Sequence, residues 1–188
     1  MSSACDSIAH DVSWHAGENN FPGDLLRSLI MSNSAAIPET SLSLEDLLCF
    51  AIYSAGHAFN RVYKPLLDKI GLTYPQYLVM VSLWAKDDQT VGDLGQMLFL
   101  ESSTLTPLLK RLEASGYITR SRDLSDERQV RICLTRAGRA LHTKAGDISR
   151  CILEATGLPL GDLHKLQSQI SMLRQSLLSR AFHTRHQQ

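Results

Sequence analysis

The sequence predicts a mainly α-helical protein that carries one short β-hairpin. Two observations lead to this fold class. Apolar residues recur at helical spacing through most of the chain from residue 43 to residue 181. Between residues 117 and 134 the pattern changes to two short runs separated by a polar tip, which is typical of a hairpin. The length of 188 residues suits one good core, or one domain with a tail.

The first part of the chain is predicted to be an extension followed by a long helix. Residues 1–40 are weakly patterned, and we expect them to be flexible. Order is predicted to begin at Ser43, which can cap a helix with acidic residues in its first turn. The amphipathic helix that follows is expected to kink or end at Pro65, and Gly71 closes the segment.

Three helices, a hairpin and two further helices are predicted to follow. Thr73 opens a helix that runs to about Ala85 with a capping box. The later elements are predicted as helices over 91–98 and 102–115, strands over 117–122 and 129–134, and helices over 136–156 and 161–181. This order is that of a winged helix-turn-helix. The long first and last helices carry more apolar surface than one chain can bury, which predicts a dimer.

The predicted domain organisation follows from these elements. One domain is expected over 41–181, with a tail over 182–188. Within it, residues 73–135 form the winged-helix core, and 43–70 and 136–181 form the dimerisation helices.

Composition excludes several classes of protein and leaves a local charge asymmetry. The chain carries 19 basic and 19 acidic residues, so no global positive field attracts nucleic acid. Seven basic and four acidic residues nevertheless lie between Ser102 and Arg136, which suits contact with phosphates. The four cysteines and seven histidines form no metal-like cluster, so neither a metal nor a cofactor is expected. No signal peptide or membrane-spanning run is apparent, which predicts a cytoplasmic protein with no membrane partner.

Small hydroxylated residues begin the helix predicted over 102–115, and this favours a DNA-reading helix. Such side chains let the backbone approach the major groove and hydrogen-bond bases and phosphates. In the predicted wing, Arg128 can enter the minor groove, and Asp126 can orient its guanidinium. The alternative is that the hydroxyl groups only cap the helix and that Arg128 is a solvated charge. The candidate DNA contacts are Ser102, Ser103, Thr104, Thr106, Pro107, Lys110, Arg111, Asp126 and Arg128.

Cys49 is a lone thiol on the first long helix. Thiolates respond to peroxides faster than other side chains, so a thiol beside a DNA reader indicates a redox switch. The alternative is a small apolar packing residue, because lone cysteines on apolar helix faces are usually buried. Glu45, one turn upstream, opposes a thiolate, which would therefore need hydrogen-bond donors. Tyr53, four residues further on, lies on the same helix face and can supply one.

The wing and its flanking segments resemble the MarR family of winged-helix dimers. The similarity covers about Leu44 to Arg180. It rests on Leu94, the helix over 102–115, Gly116-Tyr117-Ile118, the wing Asp123-Leu-Ser-Asp126-Glu-Arg128, and Leu134-Thr135-Arg136-Ala137-Gly138. The segment around Cys49 is similar to the OhrR branch, whose members sense organic hydroperoxides. In that branch tyrosines contact the sensing thiolate across the dimer, and the matching positions are Tyr63 and Tyr74. Some members carry a resolving cysteine near the position of Cys151.

The function predicted from these observations is that of a homodimeric, DNA-binding transcriptional repressor, not an enzyme. The resemblance implies a pseudo-palindromic operator in double-stranded DNA and release when organic hydroperoxide oxidises Cys49. Tyr53, Tyr63 and Tyr74 would stabilise the thiolate, and Cys151 would be the resolving thiol. The main alternative is a repressor released by a small aromatic ligand, with Cys49 structural. Two other classes of protein are less favoured. A thiol peroxidase is one, but the sequence contains no thioredoxin-like motif. A purely structural helical dimer is the other, and it leaves the composition of the wing unexplained.

Overall fold

The computed structural model describes residues 43–123 and 126–185, with side chains described up to Arg180. The described residues fall into two units, one that ends at Ser54 and one that begins at Ala55. The extension predicted over 1–40 lies outside the described residues, as do residues 186–188 of the predicted tail. Within the described ranges, no helix has the length and apolar character needed to cross a membrane.

The described elements follow the predicted order of helices and strands. They are the 3-10 turn Leu44–Asp46, α1 (Leu48–Asp68), α2 (Tyr74–Ala85), β1 (Gln89–Thr90), α3 (Val91–Leu98), α4 (Ser102–Ala114), β2 (Ile118–Arg122), β3 (Val130–Leu134), α5 (Arg136–Thr156) and α6 (Leu160–Arg185). The mainly α-helical fold with a small antiparallel sheet is confirmed.

The cap predicted at Ser43 is present, but α1 differs from the prediction at its start and at Pro65. The side chain of Ser43 accepts a hydrogen bond from the backbone N–H of Glu45, as a cap does. It caps the 3-10 turn Leu44–Asp46, however, and the long helix predicted to follow Ser43 directly begins only at Leu48. Of the two outcomes predicted at Pro65, an end of the helix is wrong, because α1 continues through Pro65 to Asp68. Proline costs one backbone hydrogen bond, but an ion pair from Lys64 to Asp68 at 2.8 Å spans this last turn. Gly71, with φ of 70°, closes the segment as expected.

The core lies where α2, α3 and α4 meet the sheet and the end of α1. The capping box at Thr73 forms: its backbone N–H donates to Oε1 of Gln76 at 2.8 Å. This cap fixes the start of α2, which supplies three of the most deeply buried side chains. The fully buried set is Leu67, Val79, Met80, Leu83, Leu94, Leu105, Leu109, Leu112, Ile118 and Ile132. The rigid core therefore holds α4 with its leucine face inward and its other face outward.

The sheet contains one strand more than the sequence predicts. Its order is β1-β3-β2, and both pairings are antiparallel. In the hairpin, Ile118 lies opposite Leu134 and Arg122 opposite Val130. The additional strand β1 has only two residues, which is too short for an alternating pattern to reveal. It pairs with the middle of β3 and so connects the hairpin to α3, which follows β1 directly.

The start of α5 is packed tightly against the start of β2. The side chain of Thr135 caps α5 by accepting from the backbone N–H of Gly138 at 3.0 Å. The backbone N–H of Thr135 donates to the carbonyl of Tyr117 at 3.0 Å. Trp84 of α2 donates from Nε1 to the carbonyl of Gly138 at 2.9 Å. The last helix, α6, is longer than predicted, since it spans Leu160–Arg185 in place of 161–181.

Asp87 joins the loop after α2 to the end of β3 and to α5, and we expect its replacement by asparagine to destabilise the fold. Its Oδ1 accepts from the backbone N–H of Leu134 at 2.8 Å, and its other oxygen accepts from Arg139. Burial would raise the pKa of Asp87, but hydrogen bonds from Leu134, Asp88 and Arg139 together lower it. In Asp87→Asn the side-chain NH₂ group faces either the backbone N–H of Leu134 or the guanidinium of Arg139, so two donors oppose each other. We expect this to lower the free energy of unfolding by about 1–2 kcal/mol at neutral pH.

The effect of Asp87→Asn should depend on pH with a defined sign. A carboxyl group whose folded pKa is depressed stabilises the fold above its unfolded pKa, and this stabilisation disappears as pH falls through the folded pKa. Urea unfolding of both proteins at neutral pH and at about pH 3 measures the difference. We expect the difference between the two free energies of unfolding to be smaller at the acidic pH, because the stabilisation declines once the pH is below the unfolded pKa. A difference of the same size at both pH values would contradict the assignment.

Candidate functional site

The first turn of α4 presents its hydroxyl groups to solvent. The helix begins after Glu101, which is the N-cap residue, so the alternative that the serine and threonine side chains serve as the cap is wrong. Ser102, Ser103 and Thr104 are exposed, and Thr106 is half-buried. Backbone and hydroxyl donors at this position can reach the edges of bases and phosphates.

The remainder of α4 separates an apolar face from a basic face. Leu105, Leu109 and Leu112 are fully buried and fix the rotation of the helix. On the other side the structure places Pro107, Lys110 and Arg111 at the surface. The predicted contact residues of α4 other than the half-buried Thr106 are therefore exposed to solvent.

The wing hairpin places Arg128 on a turn that Asp126 organises. Arg128 is exposed, and its backbone N–H donates to Oδ1 of Asp126 at 3.0 Å. The other oxygen of Asp126 accepts from Nε2 of Gln129 at 3.1 Å. Asp126 thus orients Arg128 through the backbone, whereas the sequence predicted a contact with the guanidinium. An arginine at the tip of a hairpin can enter a narrow minor groove.

Cys49 lies in the first turns of α1, within the first unit of the chain. Its side chain is exposed and its thiol is free. The exposure argues against the alternative that Cys49 is a buried packing residue. Tyr53, one turn further along the helix, is 63% exposed, and its ring lies 6.4 Å from that of Phe50. A peroxide can reach a thiol in this position from solvent.

Tyr63, Tyr74 and Tyr77 form an aromatic cluster in the second unit. The rings of Tyr63 and Tyr74 are 4.6 Å apart, and those of Tyr63 and Tyr77 are 5.8 Å apart. Burial, with smaller contributions from Tyr74 and Tyr77, raises the pKa of Tyr63 to about 12. Burial and Tyr77 also raise the pKa of Tyr74. Both phenols therefore keep their protons near neutral pH and can act as hydrogen-bond donors.

The other described cysteines differ from Cys49. Cys133 on β3 is a half-buried free thiol whose Sγ lies 3.2 Å from Oδ1 of Asp88. Burial, and then the hydrogen bond to Asp88, raise the pKa of Cys133, which disfavours its thiolate. Cys151 is 6% exposed in α5 and is disulfide-bonded. Its pairing with Cys49 in a partner subunit stays a prediction, and it would need reduction or thiol–disulfide exchange first.

An apolar groove runs between α1, α5 and α6 in the second unit. Its volume is about 270 Å³, and it is lined by Ala55, Ala58, Phe59, Val62, Ile152, Ala155, Thr156, Leu158, Leu163 and Leu166. Further apolar side chains of α6 are exposed, including Ile170, Met172 and Leu177. Apolar surface of this extent is typical of an interface between subunits. Among the described residues, no cluster of His, Cys, Asp and Glu could hold a metal ion.

Comparison with known proteins identifies the family. The family model for the transcriptional regulator SarA/Rot matches residues 61–144. The HTH-type transcriptional regulator TtmR of Methylorubrum extorquens is 48% identical over 139 residues, which are 74% of this chain and 71% of TtmR. The organic hydroperoxide resistance transcriptional regulator of Bacillus subtilis is 45% identical over 136 residues, 72% of this chain and 92% of that protein. The chain belongs to the MarR family. Within this MarR family it is similar to the organic hydroperoxide regulators, as the sequence predicts.

A solved structure supports the same assignment. The reduced form of AbfR, a protein of Staphylococcus epidermidis, bound to DNA is 37% identical, with a TM-score of 0.62 over 71% of this chain and 92% of that one. As a MarR-family member the protein is a DNA-binding transcriptional regulator and not an enzyme. These relatives do not favour the alternative of release by a small aromatic ligand.

Proposed function

We propose that the protein is a homodimeric transcriptional repressor that leaves its operator when an organic hydroperoxide oxidises Cys49. The observation that carries this proposal is the exposed, free thiol of Cys49 in a chain so similar to the organic hydroperoxide regulator of Bacillus subtilis. The operator would be pseudo-palindromic double-stranded DNA, because a two-fold dimer reads two equivalent half-sites.

The chemical step is a two-electron oxidation of sulfur. The thiolate of Cys49 attacks the terminal oxygen of the hydroperoxide, and an S–O bond forms while the O–O bond breaks. The products are a sulfenic acid on Cys49 and an alkoxide, which takes a proton to become the alcohol. The peroxide is thereby reduced and the sulfur oxidised. A small cellular thiol can then cap the sulfenic acid as a mixed disulfide, with Cys151 of the partner subunit as the other candidate.

The tyrosine cluster is the proposed source of hydrogen bonds to the thiolate. Tyr63 and Tyr74 of one subunit would donate to Cys49 of the other, with Tyr53 on the same helix face as the thiol. Both phenols are protonated at neutral pH, and a phenol O–H that donates a hydrogen bond stabilises an anionic acceptor. Oxidation removes the anionic acceptor and forces the surrounding side chains to repack.

The DNA contacts are proposed to come from α4 and the wing. Ser102, Ser103, Thr104, Thr106 and Pro107 would approach bases in the major groove. Lys110 and Arg111 lie further along α4 and suit phosphates, and Arg128 suits the minor groove. Asp126 would act by orienting Arg128. Two recognition helices must be about 34 Å apart to read half-sites one turn apart, so a small rotation of the subunits weakens both contacts together.

The proposal is tested by DNA affinity before and after peroxide. We define the operator duplex as the duplex that the reduced wild-type protein selects from a random-sequence pool. One equivalent of cumene hydroperoxide is expected to lower the affinity of wild type for this duplex at least about tenfold, equivalent to about 1.4 kcal/mol. Dithiothreitol should restore it, and Cys49→Ser should bind without responding to peroxide.

A matched control separates Cys49 from Cys133, the other free thiol among the described residues. Cys133→Ser removes a cysteine whose raised pKa disfavours the thiolate, so this variant should respond to peroxide as wild type does. Wild-type affinity that is unchanged by cumene hydroperoxide would overturn the proposal. A response that survives in Cys49→Ser would also overturn it.

A further inference from the structure

The guanidinium of Arg131 donates three hydrogen bonds, which join the loop before β1 to the wing. Arg131 lies on β3, with 34% of its side chain exposed. Its Nε donates to Oδ1 of Asp88 at 2.6 Å, and one terminal nitrogen donates to the carbonyl of Asp88 at 2.8 Å. The other terminal nitrogen donates to Oδ2 of Asp123 at 3.0 Å. Asp88 belongs to the loop that precedes β1 and Asp123 follows β2, so Arg131 joins that loop to the first residue of the wing.

The chain of hydrogen bonds continues from Asp123 to the wing tip. Asp123 is 12% exposed, and its Oδ1 accepts from the backbone N–H of Asp126 at 3.3 Å. Asp126 in turn accepts from the backbone N–H of Arg128 at 3.0 Å. The backbone of Asp123 also donates to the carbonyl of Gln129 at 3.0 Å, which closes the hairpin on the other side. Two carboxylates therefore link Arg131 to Arg128. The carboxylate of Asp123 accepts from Arg131 and from the backbone of Asp126, and the carboxylate of Asp126 accepts from the backbone of Arg128.

We propose that Arg131 is the positioning residue of the wing, acting through Asp123 and Asp126 to fix the backbone at Arg128 before DNA is bound. This inference rests on the proposed contact between Arg128 and DNA. An arginine whose backbone is already held in place loses less conformational entropy on binding, so it contributes more to affinity. Arg131 reaches Arg128 through the two aspartates, so this role needs no DNA contact of its own.

The test is a double-mutant cycle on affinity for the operator duplex. Arg131→Lys keeps the positive charge, and with it the general attraction to phosphates, but one ammonium cannot replace the fork that holds Asp88 and Asp123. Arg131→Lys is expected to lower affinity roughly three- to tenfold. In the Arg128→Ala background the same change should have less than about a twofold effect. This loss of effect is a result that a general destabilisation would not produce.

Two further variants complete the test. Asp123→Asn should lower affinity for the operator duplex as much as Arg131→Lys does. In the Arg128→Ala background it too should have less than about a twofold effect. Arg139→Lys is the matched control, because Arg139 pairs with Asp87, the neighbour of Asp88, but reaches the carbonyl of Leu134 and not the wing. It should leave affinity unchanged. Thermal unfolding verifies that each variant is folded.

The outcomes distinguish this inference from the proposed function. Equal losses from Arg131→Lys with and without Arg128 would overturn the positioning role alone. An Arg128→Ala variant with wild-type affinity would overturn both the wing contact and the positioning role. Neither result would affect the peroxide response of Cys49, which is measured separately.

Discussion

Replacing Gly138 with alanine is expected to destabilise the protein by about 3 kcal/mol and to weaken operator binding. A Cβ atom at this position would overlap the carbonyl oxygen of Tyr117 and lie 3.0 Å from its carbonyl carbon. These are backbone atoms of the residue directly before β2, so they can move only if the start of the strand moves. Because Thr135 donates hydrogen bonds to the same carbonyl, the shift would separate the start of α5 from the start of β2. Urea unfolding and affinity for the operator duplex measure the two effects.

Gly146 provides the matched control for this substitution. It lies two turns further along the same helix and is exposed, and outside its own stretch of helix no atom lies within 4 Å of the place where a Cβ would stand. Gly146→Ala should stabilise α5 by up to about 1 kcal/mol, since glycine in a helix interior costs conformational entropy. A Gly138→Ala variant as stable as Gly146→Ala would contradict the close approach seen in the structure.

Elements whose signal is local were predicted well from the sequence. The bounds of α3 and α5 agree with the prediction, and the capping residues Thr73 and Thr135 act as predicted. Capping chemistry and helical spacing are properties of neighbouring residues, so one sequence is enough to read them. The exception is Pro65, where the local rule favours a break and the helix nevertheless continues to Asp68.

Features that depend on distant residues escaped the sequence analysis. The strand β1 is too short to show alternation, and only its pairing with Ile132 and Arg131 defines it. Arg131 and Asp88 are 43 residues apart, and nothing in either local segment predicts that they meet. Gly138 reads as an ordinary helical glycine until Tyr117 is placed against it. The candidate DNA residues were predicted from composition and resemblance. The contacts of Arg131 that hold the wing could be recognised only once the fold brought their partners together.

Replacing Tyr63 with phenylalanine is expected to slow the oxidation of Cys49 by cumene hydroperoxide roughly tenfold. The pKa of about 12 keeps the Tyr63 phenol protonated, so the substitution removes one donor to the thiolate and little volume. Mass spectrometry of Cys49 after timed exposure measures the rate. Tyr77→Phe is the control, because its ring belongs to the same cluster and is 6% exposed. Equal slowing in the two variants would mean that packing, not hydrogen bonding, controls the rate.

A mixed dimer decides which subunit supplies the tyrosine. One protomer carries Cys49→Ser with Tyr63 intact, and the other carries Tyr63→Phe with Cys49 intact. The reactive thiol then lies in the protomer that lacks its own Tyr63 hydroxyl, while the partner still has one. If the donor acts across the dimer, this thiol reacts at the wild-type rate. If it reacts as slowly as in the Tyr63→Phe homodimer, the tyrosine acts within its own chain, and the proposed coupling of peroxide sensing to the dimer interface is wrong.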